Sequence, residues 1–587
     1  MTTLKSVSAP EFSFLATRHC VAGAALAVLL MCLGTVPAEA VEVEPMTLNE
    51  TVQKSDAIVV GHLVKSESRW GSHERRYIVT DHTFRIADAI LAKDYAPPGG
   101  EVTLTFWGGT IGDETQEIAG APALEVDHDY VLMIAPNREE AGLTPLVGLY
   151  HGLFPIVEDK QTGARQVVDA QGAPLLIDQN GRIVASDLID EADQIKQRGV
   201  TLDQFVEAIR EELKRRGENS GEKEAPGIPP EETARPKIQG DRERDQPTTP
   251  HDEALAPERQ AEATPRSNTS PKYKFSGVPD LPISVNRLDT SSSFSPIDQY
   301  CMSNWNHFSR NVFKVYTRRL EWRWRNGVFD LAGFPNDQDM RREFGQPWDS
   351  NTLGICFQRK SSGKIIEADI ALNPSFTWTL NDESVYDGGS GKSFRRTMTH
   401  ELGHMWGLEH NFESLSVMNY SPSVYRAFSL PFMDDAEAIR AANSANKVET
   451  RDLGIYLFYS AGTKDWRDTT YPTSVKAGSS FTVNNYHLEN AGTQVEQTPK
   501  VEWYLTNSRN FSDGYYYIGA TQYPKLDKFS SFRHGTVGRT LNVPSNVPAG
   551  QYYLAAFIRG DESVSWSDFP FDNSRAFSRK KIRITNP

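Results

Sequence analysis

Short runs of alternating apolar and polar residues fill the first third of the chain. A stretch almost without large apolar residues follows, and mixed helical and strand periodicities come after it. Residues 56–64 read as a strand, 77–90 and 102–107 keep the period of two, and the unbroken apolar run 130–134 reads as a buried strand. Many short strands with Gly-rich turns predict a small β-barrel for residues 41–216. The pattern changes at Thr201: Leu202, Phe205, Val206, Ile209 and Leu213 recur at helical spacing. Thr201 and Gln204 have the spacing of a capping box, and Gly217 is placed to end that helix.

Residues 217–272 are dominated by Gly, Glu, Pro, Arg, Ser and Thr. Such a segment buries too little apolar surface to offset its ordering entropy, so it is predicted to be a disordered linker. Residues 273–462 carry an α+β pattern. Ser295-Pro296 opens a helix whose apolar face is Ile297, Tyr300, Cys301, Trp305 and Phe308. A strand follows near 312–318, and 352–358 and 365–373 read as two strands joined by Lys360-Ser361-Ser362-Gly363. Another helix starts near Ser393, and residues 434–442 form a closing one with Asp434 and Asp435 at its positive end. Residues 463–587 return to short strands, at 481–487, 501–505, 515–519 and 552–558, the pattern of a β-sandwich. The run Tyr515-Tyr516-Tyr517 fits strand packing better than a ligand platform.

Composition sharpens this multidomain picture at a few points. A hydrophobic content of 39% with 24% charged residues suits several soluble domains. A net charge of -15 without a domain-wide basic face removes nucleic acid as the main partner. Lys5, Arg18 and His19 precede an apolar run over residues 21–36, and Ala38-Glu39-Ala40 supplies a cleavage signature. Residues 1–40 are therefore expected to be a signal peptide, and the protein to be secreted, periplasmic or held at the cell surface. No later stretch is apolar enough to span a bilayer. Cleavage would leave two cysteines, Cys301 and Cys356, which can form a disulfide or stand as two buried thiols.

Candidate chemistry is concentrated in His400-Glu401-Leu402-Gly403-His404-Met405-Trp406-Gly407-Leu408-Glu409-His410. On a helix, His400 and His404 share one face and can grip one zinc ion, with Glu401 beside them. Gly407 can take the left-handed conformation that ends the helix, so that His410 reaches the same metal. Three neutral histidines leave a fourth position for water, the mark of a catalytic rather than a closed site.

The motif, followed by Ser416-Val417-Met418-Asn419-Tyr420, resembles the metzincin clan of zinc endopeptidases. Glu367-Ala368-Asp369-Ile370-Ala371-Leu372-Asn373 and Trp378 are similar to the strand that leads to the zinc helix in bacterial matrixin-like members. The resemblance implies that Met418 lies under the metal as an apolar floor and that Tyr420 stands near the zinc. It implies peptide-bond hydrolysis by a zinc-held water, with Glu401 as general base. It also implies that strand 352–358 is a sheet edge on which an extended peptide substrate docks by strand addition. No cysteine lies between residues 41 and 300, so the cysteine-switch propeptide of animal matrixins is absent. Residues 381–389 could bind calcium, although a solvated turn is the plainer reading.

Two further likenesses frame the site. Residues 41–216 resemble a β-barrel module found ahead of bacterial secreted metalloproteases and, loosely, the OB-like fold of tissue inhibitors of metalloproteinases. Leu541-Asn542-Val543-Pro544, Pro548-Ala549-Gly550-Gln551-Tyr552-Tyr553 and Asp572-Asn573-Ser574 resemble a CARDB-type Ig-like module, which implies a cell-surface or matrix ligand. The expected function is a secreted zinc endopeptidase acting on proteins or peptides. The alternative is an adhesion or binding protein whose zinc domain is accessory. Within the first reading, the N-terminal domain is a candidate latency element over the cleft.

Overall fold

Strict alternation gives the first sheet its two faces. The structure, a computed structural model, describes residues 41–587 apart from short breaks and the longer stretches 137–142, 186–198, 220–265, 268–276, 420–428, 443–449 and 561–573. The expected signal peptide, most of the expected linker and Tyr420 therefore lie outside the described residues. Val41–Val43 (β1) and helix Leu48–Lys54 (α1) come first, then Ala57–Trp70 (β2), Ile78–Ala92 (β3), Glu101–Trp107 (β4), Gly109–Ile111 (β5) and Glu114–Ile118 (β6). Asp129–Ile134 (β7), Leu153–Glu158 (β8) and Arg165–Val167 (β9) follow. Six of these form an antiparallel sheet in the order β4-β3-β2-β7-β8-β9. In β4, Val102, Leu104 and Phe106 are buried while Glu101, Thr103 and Thr105 face water, as the period of two requires.

Helix Leu202–Asn219 (α2) lays Phe205, Val206 and Ile209 into the core beside Val131 and Phe154. Its capping box forms: Thr201 N–H donates to Gln204 Oε1 at 3.0 Å, and Gln204 N–H returns to Thr201 Oγ1 at 3.4 Å. The helix runs through Gly217 to Asn219 instead of ending at the glycine. A solvated glycine in a last turn costs a helix only about 1 kcal/mol, too little to stop it.

A second sheet joins two distant parts of the chain. Ile283–Leu288 (β10), helix Ser295–Phe308 (α3), Phe313–Arg319 (β11), Phe329–Gly333 (β12), helix Asp337–Phe344 (α4), Thr352–Ser361 (β13) and Lys364–Leu372 (β14) succeed one another. The strands order as β11-β10-β12-β14-β13-β6-β5. The first four are parallel; β13 returns antiparallel on β14 through a tight turn with positive φ at Ser362 (49°) and Gly363 (78°). Strand β13 is thus not the open edge that the family resemblance implied. Its far half pairs with β6, from Phe357 opposite Ile118 to Ser361 opposite Glu114, and β1 pairs with its near half.

Side chains seal the junction. Trp107 of β4 packs against Trp324, Phe344 and Phe357, with ring centroids 6.0, 5.6 and 5.1 Å away. Phe344 and Phe357 stack at 3.6 Å. On the other side of the sheet, α3, Phe394–Met405 (α5) and Met433–Ala442 (α6) bury Trp305, Met398, Leu402 and Ile439.

Beyond α6 the described elements are β-strands. A five-stranded sheet includes Lys500–Thr506, Tyr515–Gln522 and Gly550–Arg559. It shares a core around Trp503, Tyr486 and Leu488 with strands Leu453–Tyr456 and Tyr486–Asn490 of a second sheet. The strand expected over 481–487 is broken in two at Asn485, whose φ is 61°. Arg440 of α6 ties this region to helix α3: its guanidinium donates to the Phe308 carbonyl at 3.0 Å and the Ala491 carbonyl at 2.9 Å.

Candidate metal centre

Helix α5 carries the chemistry because its start and its end are both fixed. Ser393 caps it, its Oγ accepting the Arg396 N–H at 3.1 Å and donating to Asp382 at 2.6 Å. Along the helix, Arg396, His400 and His404 fall on one face at four-residue intervals, and Thr397 and Glu401 fall on the adjacent one. The helix stops at Gly407, which has φ 98°. A Cβ there would stand 1.8 Å from the Gly277 carbonyl oxygen, so only glycine fits the close approach. The turn is closed by Gly407 N–H on the His404 carbonyl (2.8 Å) and Leu408 N–H on the Gly403 carbonyl (3.0 Å). It returns His410 to the face that bears the other two histidines.

The three Nε2 atoms converge. They lie 2.9 Å (His400–His410), 3.0 Å (His400–His404) and 3.2 Å (His404–His410) apart. His400 Nδ1 is 2.8 Å from the Val417 carbonyl, and His404 Nδ1 is 2.6 Å from the Leu408 carbonyl. A carbonyl oxygen can only accept, so both Nδ1 atoms carry the proton and both Nε2 atoms present lone pairs. Two lone pairs facing each other at 3.0 Å need a cation between them. Nitrogens bound tetrahedrally to zinc at about 2.0–2.1 Å would be about 3.3 Å apart, close to the spacing found. His400, His404 and His410 could therefore hold one metal ion.

Electrostatics keep them in ligand form. Burial holds His400 and His410 well below the usual histidine range and pulls His404 down to about 3; the nearby Arg396 charge pushes the same way. Neutral imidazole is the form that binds metal. Glu401, like His400 and His404, is fully buried. Strand β13 passes directly over it: a Cβ on Gly354 would lie 2.8 Å from Thr397 Cγ2 and 3.1 Å from Glu401 Oε1. Gln358 of the same strand donates to the His404 carbonyl at 2.6 Å, and Trp305 of α3 donates to the Thr399 carbonyl at 2.9 Å.

Met418 lies against the helix between the first two histidines. A Cβ on Gly403 would come within 2.3 Å of its Sδ. The turn that presents it is pinned from α6 by Asp435, which accepts Ser416 Oγ–H at 2.5 Å, Val417 N–H at 2.7 Å and Phe432 N–H at 2.8 Å. Burial outweighs these bonds and raises the Asp435 carboxyl to about 6. Sequence reasoning took Asp434 and Asp435 only as charges at a helix start and missed this anchor. The available signal was a second acid at the start of α6 combined with a serine two residues before Met418.

The structure thus brings His400, Glu401, His404, Gly407, His410 and Met418 together. Tyr420 lies outside the described residues. The two cysteines do not form a disulfide; both are buried free thiols. Cys301 Sγ donates to the Arg395 carbonyl at 3.7 Å, and Cys356 sits mid-strand in β13, its thiol pushed well up by burial and then by the Glu401 charge. Within the calcium candidate, Asp382 serves Ser393 and Arg395, while Asp387 and Gly388 lie outside the described residues.

Residues 337–442, the span from α4 through α6, match the family model described as Matrixin. A protein of Invertebrate iridescent virus 3, described as a probable matrix metalloproteinase, is 36% identical over 87 residues. That match covers 14% of this chain and 22% of the viral protein, so the chain spans about a fifth of that relative's length.

Proposed function

We propose that this protein is a zinc-dependent endopeptidase that hydrolyses peptide bonds of proteins. The observation that carries the reading is the convergence of three neutral histidine Nε2 atoms beside a buried carboxylate on one helix. The matrixin match over 337–442 points to the same chemistry. Zinc bound there would supply a Lewis acid that polarises a carbonyl oxygen and makes water acidic near neutral pH. His400, His404 and His410 hold and orient it through Nε2, with the His400 and His404 rings fixed by their Nδ1 bonds to backbone. Glu401 takes a proton from the attacking water and returns it to the departing amine. Burial of the site strengthens each of these interactions by excluding water. Tyr420 is assigned the donor to the developing oxyanion.

Residues 1–40 direct export, and residues 463–587 act as an accessory CARDB-type, Ig-like module that contacts a surface or matrix ligand. The test combines metal analysis of the purified protein with casein cleavage in the presence and absence of chelator. One zinc per chain and chelator-sensitive cleavage are expected. Glu401→Gln should keep the metal and lose about 10^2–10^4-fold in turnover, the range of a positioned acid–base group. His400→Ala should lose both metal and activity. Wild-type cleavage by Glu401→Gln would remove the general-base role, and a zinc-loaded protein inert toward every protein tried would leave the binding-protein alternative standing.

A further inference from the structure

Strand β13 runs past the metal centre, and both halves of its outer side are taken by the chain's own N-terminal region. The half farther from the metal is held by β6. The half beside Glu401 is held by β1: Val41 pairs with Ile355, Glu42 with Gly354 and Val43 with Thr352, antiparallel, with an irregularity after Glu42. Gly354 is the residue whose Cβ would stand 3.1 Å from Glu401 Oε1, so β1 lies one strand away from the carboxylate assigned to the reaction. The same short strand also lies against helix α5. His400, Glu401 and His404 have no exposure, and His410 has 3%. A site meant to receive a polypeptide is closed in this state.

The residues after β1 are moored. Asn351, just ahead of β13, contacts Met46 Sδ at 2.5 Å and accepts a hydrogen bond from Lys54 Nζ at 3.3 Å. Thr47 closes a capping box with Glu50 at the start of α1. Met46 and Thr47 thus fix where β1 is delivered, and the ladder that pairs it with β13 is three residues long. A short ladder next to a firm anchor makes a tethered competitor, with an effective concentration set by a few residues of chain.

We propose that Val41–Val43 is a resident occupant of the Thr352–Ile355 edge, an internal strand that holds the metal centre closed until it is displaced. The proposal takes its meaning from the peptidase reading but is tested without it. A specific protease site is placed before Met46 in the full-length, zinc-loaded Glu401→Gln protein, which is cut after folding and freed of the released strand. The probe is a fluorescein-labelled peptide with the sequence of residues 41–46, and polarisation reads its binding. At least a tenfold fall in Kd on cutting is expected, and the uncut variant Glu42→Pro, which loses a backbone donor from the strand, should shift Kd the same way. Equal Kd for cut, uncut and Glu42→Pro proteins overturns the proposal. In a parallel arm with Glu401 intact, hydrolysis of an unlabelled peptide library that rises on cutting supports the occupant and the peptidase reading together. Tenfold tighter probe binding with no hydrolysis keeps the occupant and sinks the peptidase reading.

Discussion

Gly403 and Gly407 are four residues apart in one motif and are required for different reasons. At Gly403 an added methyl meets side chains, Met418 Sδ at 2.3 Å and Trp305 Cζ2 at 2.9 Å. Both can shift, so Gly403→Ala is expected to cost about 1–3 kcal/mol and to displace Met418. Gly407→Ala meets a backbone oxygen at 1.8 Å and a φ of 98°, neither of which yields, so its loss in urea unfolding should be the larger, roughly 3 kcal/mol or more. The histidines set a pH dependence whose sign follows from their depressed titration. Below about 6.5 the unfolded chain takes up protons that the folded site refuses, so the stability of the chelated protein is full above that pH and falls as pH drops toward about 3. His82, depressed to about 4 by burial, adds to the same slope. Each such histidine contributes about 1.4 kcal/mol per pH unit, so His404→Gln should flatten the slope between pH 6 and pH 4.5 by that amount. Melting of chelated wild type and variant across this range measures it. The spacing of His400, His404 and His410 was legible because one helix and one turn determine it. Asp435 was not, because its three bonds join segments that meet only after folding.

At the scale of elements, periodicity located α3, β11, β13, β14, α5 and α6, often within a residue or two, but not β10, β12 or α4. Helix α5 begins where its Ser393 cap predicts, and Ser393→Ala should cost about 1 kcal/mol in thermal or chemical unfolding. What periodicity could not supply was the partner of β13. Alternation tells which face of a strand is buried, but hydrogen bonding along its edge leaves no mark on side-chain pattern. The Cys301–Cys356 question was undecidable for a similar reason: both residues belong to one buried cluster, yet each is fixed by its own element. Arg440 shows how elements from different regions are joined. Its guanidinium lies over the Phe308 and Phe529 rings, 5.5 and 5.2 Å from their centroids, besides bonding two buried carbonyls. Arg440→Met keeps the bulk and orphans those carbonyls, so a loss of about 2–3 kcal/mol is expected, read as earlier unfolding of residues 450–587 in hydrogen exchange.

For the whole molecule, sequence pattern separated the stretches before and after 217–272 and read each as self-contained. The structure runs one sheet through both, with β5 and β6 entering from one side and β10 through β14 from the other. A fragment beginning at residue 273 would uncover Trp324, Phe344 and Phe357 together with the outer side of β13. Such a fragment is expected to bind a hydrophobic dye and to self-associate, so truncating residues 41–272 would not cleanly report on latency. Light scattering of that fragment beside the full chain checks it. The aromatic junction could not have been read in advance, because Trp107 and Phe357 reside in stretches with separately complete periodicities.

A strand delivered to a sheet through a long connection need not go to its own molecule. The connection between α2 and the residues that resume at Arg266 is 46 residues long, and at roughly 3.3 Å each such a length reaches well over 100 Å. The β5–β6 hairpin of one copy could therefore complete the sheet of another, making domain-swapped dimers from contacts that already exist. Refolding at high concentration should yield such dimers, and refolding at high dilution should yield monomers.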